Sequence, residues 1–177
     1  MPERRRFEYV LELEDRPIRS NPKHRQGALI RGDVGFNIET LAELMISAYH
    51  GTIDYDDESI HDAMTELDSY LHGDNVQPIL DCSWLLFVDG SLASACLVGD
   101  WIDREIPLIA YVMTAGEWKK KGFSKIVLGA SLECLVNDGY SQVAAVITEG
   151  NRPSEKLFHG YGFVNKLLLN RENAVSV

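Results

Sequence analysis

The stretch Trp118-Lys119-Lys120-Lys121-Gly122-Phe123-Ser124 gathers the residue types that can hold a phosphorylated ligand. The first N–H groups of a helix have no internal partner and carry positive partial charge. A helix opening at Phe123 would therefore stabilise a pyrophosphate on the backbone amides of residues 119–124. Gly122 lets the main chain approach closely, and the small Ser124 avoids a clash. Between Glu117 and Lys125 stand four lysines and one glutamate, inside a chain whose formal net charge is −10. That local excess would draw an anion to this edge, although the same lysines could simply solvate a surface turn. K-x-x-G-x-S alone is a weak motif, and neither G-x-x-x-x-G-K-[ST] nor G-x-G-x-x-G is present, which argues against a nucleotide-phosphate enzyme.

A second stretch gives the first its meaning. An apolar run, Val143 to Ile147, leads into Thr148-Glu149-Gly150-Asn151-Arg152-Pro153, followed by Leu157-Phe158 and Gly162-Phe163. With the Lys119 to Ser124 loop, this resembles the GCN5-related N-acetyltransferase superfamily, whose hallmark is a phosphate loop R/Q-x-x-G-x-G/A, a strand ending in Asn, a short helix and a closing Gly-Phe. The resemblance covers Ala28 to Leu169 in element order. It implies acetyl-CoA, or another short acyl-CoA, as donor and a primary amine of a small molecule or peptide as acceptor. By resemblance the donor is held by Val112, Met113 and Thr114, by Lys119, Lys120, Lys121, Gly122, Phe123 and Ser124, and by Asn151, Ser154 and Phe158. Asn151 is expected to bond the pantetheine arm, though Asn is also a favoured helix cap.

The departures concern proton transfer. Where many relatives have a Tyr that protonates the leaving thiolate stands Phe158, which has no proton to give. Where the histone-modifying branch has a Glu base stands Leu108, which cannot accept one. Glu149, at the carboxyl end of its strand where ligands lie in open α/β sheets, is the candidate catalytic residue, its alternative being a solvated carboxylate near a helix start. Tyr161, His159 and Tyr111 are further candidates that could equally be packing residues. By resemblance to the same family the loop between the first two helices, Thr52 to Tyr55, would wall the acceptor site, with Asp54, Tyr55 and Trp101 as substrate residues; Asp54, Asp56, Asp57 and Glu58 could also be ordinary helix-dipole compensation. A non-catalytic acyl-CoA-binding module of the same fold is the alternative reading.

The elements that must position these groups follow from periodicity. Leu41, Leu44, Met45 and Ala48 repeat at helical spacing after cap chemistry at Asp33 to Asn37. Ile60, Ala63, Met64, Leu67 and Leu71 do so again, ending at Gly73. Trp84 to Val88, Asp89-Gly90 and Leu92 to Val98 form a hairpin signal, with Leu108 to Thr114 as the next strand. The helix from Phe123 carries two apolar stripes, Pro153 opens another helix as its first residue, and Phe163 to Leu169 reads as the last strand. The expectation is an α/β fold with a mixed, mostly antiparallel central sheet and helices on both faces. Phe7 to Leu13 alternates like a strand, but Arg16 to Gln26 is loop-like, so residues 1–26 are expected to be a peripheral arm and residues 27–177 a single acyltransferase domain.

Composition bounds the rest. At 177 residues, with 45% hydrophobic and 25% charged, the chain reads as one globular domain. The acidic balance argues against nucleic acid, and no span approaches the roughly 20 apolar residues of a membrane helix. Homodimerisation is left open. Cys82, Cys96 and Cys134 are odd in number and lack C-x-x-C or His spacing, so neither a disulfide framework nor a zinc site, nor any other metal, is expected, and a reducing cytoplasm is the default compartment.

Overall fold

A computed structural model describes residues 4–13, 27–74 and 76–167. The chain runs β1 (Arg6–Glu12), β2 (Ala28–Arg31), the single turn α1 (Gly32–Gly35), α2 (Ile38–Tyr49), α3 (Ile60–His72) and β3 (Val76–Pro78). It continues through β4 (Trp84–Val88), β5 (Ser91–Trp101), β6 (Ile106–Thr114), α4 (Phe123–Asn137), β7 (Gln142–Thr148), α5 (Arg152–Tyr161) and β8 (Val164–Asn165). Helix ends are set by the expected chemistry. The Asn37 side chain accepts from the Thr40 N–H, Ser59 and Asp62 form a reciprocal capping box, and Gly73 ends α3 at φ +76°. Asp89 and Gly90 both have positive φ, 50° and 80°, as the tightest hairpin turn requires of its two central residues.

The strands form one sheet in the order β2-β4-β5-β6-β7-β1-β8, with β3 on the outer end of β5. Only the β6–β7 pair is parallel among the described pairings, so the sheet is mixed and mostly antiparallel. One face buries Leu41, Met45 and Leu67 of α2 and α3 against Leu85, Leu97 and Met113. The other buries Phe123, Val127 and Leu132 of α4, with Phe158 of α5, against Val98, Ile109 and Val143. At roughly 1.5–3 kcal/mol per fully buried large apolar side chain, these two layers hold the sheet rigid between them. No helix of the described residues is long and apolar enough to cross a membrane.

Several expectations are corrected. Residues 6–12 are not part of a peripheral arm: β1 lies between β7 and β8, pairs with β7 from Arg6↔Thr148 to Glu12↔Gln142, and buries Tyr9 and Leu11. The whole loop-like stretch 16–26, with the boundary at residue 26, lies outside the described residues. Cys82 and Cys134 are joined in a disulfide, with Cα atoms 5.3 Å apart, leaving Cys96 free and buried. The reducing compartment inferred from the cysteine pattern therefore no longer follows. α5 begins at Arg152, one residue before Pro153, and the last described strand is only Val164–Asn165, residues 168 and 169 being outside the described residues.

Candidate functional site

The site begins with an irregularity in β6. Leu97 of β5 faces Tyr111, but Val98 faces Ile109, so Ala110 is an extra residue. Its effect shows in the packing: Ile109 joins the α4 face, Ala110 and Tyr111 both join the α2–α3 face, and Val112 returns to the α4 face. A bulge bends its strand and ends pairing. Accordingly, β6 and β7 are in register only at Leu108↔Ala144 and Ile109↔Ala145, and past the bulge they part. The main chain of residues 110–114 thus borders an opening between two parallel strands. Met113 is fully buried and Val112 half-buried, so what they present to the opening is backbone, while the Thr114 hydroxyl lies 2.9 Å from that of Ser94.

β6 leads through a 3-10 turn (Gly116–Trp118) into α4. Lys120 and Gly122 both take left-handed backbone, φ +65° and +84°. Gly122 caps α4 without any side-chain bond, and the first α4-side amides to find a carbonyl are those of Lys125 and Ile126, both on Gly122. The N–H groups of Lys120, Lys121, Gly122, Phe123 and Ser124 take no partner among the described residues. These five amides lie at the positive end of a 15-residue helix, a geometry that can cradle an anion. A Cβ added at Gly122 would meet nothing within 4 Å, so the space before the cradle is open. The Phe123 ring is buried, so of this residue only the amide faces the open space.

The lysines divide in their tasks. Lys119 donates from Nζ to the Ala48 carbonyl at 2.7 Å, tying the loop to the C-terminal end of α2, and Gly116 N–H adds a bond to the Ser47 hydroxyl. Lys121 stands 4.1 Å over the Trp118 ring. Lys120 is exposed and has no partner among the described residues. Lys119 is thus held in place by the Ala48 carbonyl, whereas Lys120 has no fixed partner among the described residues.

Across the opening stands α5. The Asn151 side chain is committed twice: its oxygen accepts from the Ser154 N–H, capping α5, and its Nδ2 donates to Asp54 Oδ2 at 2.5 Å. That bond fastens the α2–α3 loop to the end of β7, so Asp54 and Asn151, 97 residues apart, are brought together. Tyr55, next to Asp54, packs against His50 with ring centroids 5.2 Å apart. Beside them lies a pair of which the sequence offered only Tyr111. Tyr111, the residue after the bulge, donates to Glu66 Oε1 of α3 at 2.9 Å. Burial first, then the Glu66 carboxylate, holds the Tyr111 hydroxyl well above its ordinary range. Tyr49 is raised in the same way, by burial and then by Glu66 and Asp54, with Arg6 opposing. Both hydroxyls stay protonated. Glu66 carries no motif, and only its spacing from Tyr111 through the fold marks it.

Other expected residues are placed elsewhere. Trp101 pairs with Ile106 and Val76 at the opposite end of β5 and β6 from Thr114, under the Arg104 guanidinium, so it does not share a surface with Asp54 and Tyr55. An isolated aromatic at a strand end gives no sign of which end it occupies. Phe158 is 6% exposed and packs edge-on to Phe163 at 4.9 Å, a core contact. Glu149 is exposed just past β7, its N–H bonded to the Arg5 carbonyl and its carboxylate unpaired among the described residues. Tyr161 donates to the Lys125 carbonyl, and His159 packs on Tyr9, so both are packing residues.

No protein-family model and no curated protein matches the sequence. Solved structures do match by shape. A GCN5-related N-acetyltransferase from Sphaerobacter thermophilus superposes with a TM-score of 0.69 at 14% identity, covering 94% of this chain and 50% of that one, so this chain spans half its length. The aminoglycoside N-acetyltransferase AAC(6')-Iy in complex with CoA gives 0.55 at 14% identity, over 80% of this chain and 91% of that one. The ribosomal-protein-S18-alanine N-acetyltransferase from Escherichia coli gives 0.56 at 11% identity, over 77% and 76%. The fold is that of the GCN5-related N-acetyltransferases.

Proposed function

We propose that this chain, folded as the GCN5-related N-acetyltransferases are, moves an acetyl group from acetyl-CoA, or another short acyl group, directly to a primary amine of a small molecule or peptide. The observation that carries the reading is the parting of β6 from β7 at the Ala110 bulge, immediately upstream of the unpartnered amides of residues 120–124. One opening suits a pantetheine arm and one cradle suits its pyrophosphate, in series along a single stretch of chain. The aminoglycoside N-acetyltransferase of like fold in complex with CoA supports the donor.

Catalysis in this arrangement rests on orientation and on fixed dipoles. The amine nitrogen attacks the thioester carbonyl, an unpaired N–H of residues 110–114 stabilises the developing oxyanion, and collapse expels the CoA thiolate. A thiolate leaves without an acid far more readily than an alkoxide, which accommodates Phe158 where a Tyr is absent. The amine's proton has a route through the Tyr111 hydroxyl to Glu66, since the phenol can take a proton on its oxygen as it passes its own to the carboxylate. Glu149 at the end of β7 is the other acceptor in reach of a ligand there. The acceptor would enter beside Asp54 and Tyr55.

Thiol release from acetyl-CoA across a panel of amines tests the activity. Glu66→Gln and Glu149→Gln, compared at saturating donor, assign the base: the residue that matters should cost on the order of 10²-fold in kcat. A folded protein that binds CoA yet releases no thiol with any amine would instead support the binding-module alternative.

A further inference from the structure

A cluster far from the opening is not used by this chemistry. Cys134, on the last turn of α4, and Asp138, which caps that helix, lie four residues apart and so share one side of it. Cys82 is presented to them by the turn between β3 and β4, where its N–H bonds the Ile79 carbonyl. Asp138 Oδ2 stands 3.3 Å from the Cys82 sulfur and 3.9 Å from that of Cys134, and the three ligand atoms fall within 4.8 Å of one another. A zinc ion bonded to sulfur at about 2.3 Å and to oxygen at about 2.0 Å has a tetrahedral S···O edge of about 3.5 Å, between the two distances observed. The sulfurs, joined here, would need to part to a tetrahedral S···S edge of about 3.8 Å once the bond between them is reduced.

The charge around the cluster also asks for a cation. Asp81 adjoins Cys82, its carbonyl 3.6 Å from the Cys134 sulfur, and Asp100 accepts from Tyr140 just beyond α4. No lysine or arginine pairs with Asp81, Asp100 or Asp138 among the described residues. Thiolate ligands select zinc over calcium or magnesium. We propose that the reduced chain binds one zinc ion through Cys82, Cys134 and Asp138, with water in the fourth position, so that a metal bridge replaces the disulfide between the β3–β4 turn and α4. The chemistry balances. A phosphine takes the oxygen of water as it delivers two electrons to the disulfide, giving phosphine oxide and two thiols. Zinc then displaces two protons to solvent and leaves the ion, two thiolates and one carboxylate.

The test uses the full chain, reduced with a water-soluble phosphine and titrated anaerobically with cobalt(II), then zinc. One equivalent of cobalt should produce the visible bands of a tetrahedral site and a near-ultraviolet sulfur-to-cobalt band, both erased by one equivalent of zinc. Cys134→Ser should lose the sulfur band. Asp138→Asn, at an exposed residue that leaves the thiols in place, should bind cobalt more weakly. Cys96→Ser should change nothing. Zinc should also raise the melting temperature of the reduced protein and not that of the oxidised one. Absence of the bands in the reduced chain, their survival in Cys134→Ser, or their appearance in the oxidised chain would each overturn the proposal.

Discussion

Gly122→Val separates the backbone cost of the cradle from its ligand role. Gly122 sits at φ +84°, and a Cβ there would touch nothing within 4 Å, so the variant is strained by its dihedral and not by a clash. Holding a residue with a side chain in left-handed backbone costs roughly 1–2 kcal/mol. In a domain of this size that lowers the melting temperature by roughly 2–8 °C. The empty space is also where a phosphate would meet the amides of residues 120–124, and losing one charge-assisted hydrogen bond there, at about 1.5–3 kcal/mol, weakens CoA roughly 10- to 150-fold. The assay is a thermal melt with and without CoA at about 100 times the wild-type Kd, where binding stabilises by about 2.7 kcal/mol. A variant bound about 100-fold more weakly would keep only about 0.4 kcal/mol of that at the same concentration. Gly122→Ala shares the dihedral cost with less bulk, so it should show the loss of stability and keep more of the CoA response. A folded Gly122→Val whose CoA-induced shift equals the wild type's would refute the cradle.

Four further outcomes are expected. Asn151→Ala should lose about 1–2 kcal/mol, because it removes the α5 cap and strips Asp54 of its donor, whereas Asn151→Ser keeps the cap and should isolate the effect of a freed α2–α3 loop on the acceptor KM. Phe158→Tyr should lower stability by roughly 1–3 kcal/mol, since the ring is buried on Phe163 and a new hydroxyl would need a partner; a variant of unchanged melting temperature and higher kcat would show that the hydroxyl reaches the thioester after all. Burial pushes the Cys96 thiol up to about 12, so iodoacetamide at neutral pH should label nothing in the native oxidised chain, Cys96 alone after unfolding, and all three cysteines after unfolding with reduction. Reduction of the disulfide, whose partners are 52 residues apart, should itself cost up to about 4 kcal/mol by loop-closure entropy, read as a fall in melting temperature.

What was legible in the sequence was local. Asp89-Gly90 between two apolar runs named a two-residue turn because so few residues accept positive φ at both centres, and Gly73 ended α3 for the same reason. Lys119 to Ser124 and Asn151 to Phe163 were readable because a glycine, a cap and a closing Gly-Phe are spaced by the geometry of a single turn or helix. What was missed lies in contacts across the fold. The strand pattern of Phe7 to Leu13 was visible, but nothing in it says that its partner is residues 142–148. The Cys82–Cys134 bond joins a turn to a helix, so no short spacing betrays it. Glu66 looked like any exposed helix charge until Tyr111, 45 residues on, was placed against it. The bulge at Ala110 left no mark either, because an alanine in an apolar run fits either face.

The position of β1 also constrains how the molecule comes to exist. Its pairing with β7 joins residues separated by 130 positions or more, and β8 then pairs on its far side. A growing chain emerges amino end first, so this segment, with its alternating Phe7, Tyr9, Leu11 and Leu13, must wait unpaired while the hairpins and helices between are made. Closing so long a loop costs entropy before any contact repays it, and such non-local pairing slows folding. The parting of β6 from β7 and the capped start of α5 belong to the part of the sheet that this late pairing completes. The opening between β6 and β7 is thus among the last features to form, and an exposed apolar strand persists until it does.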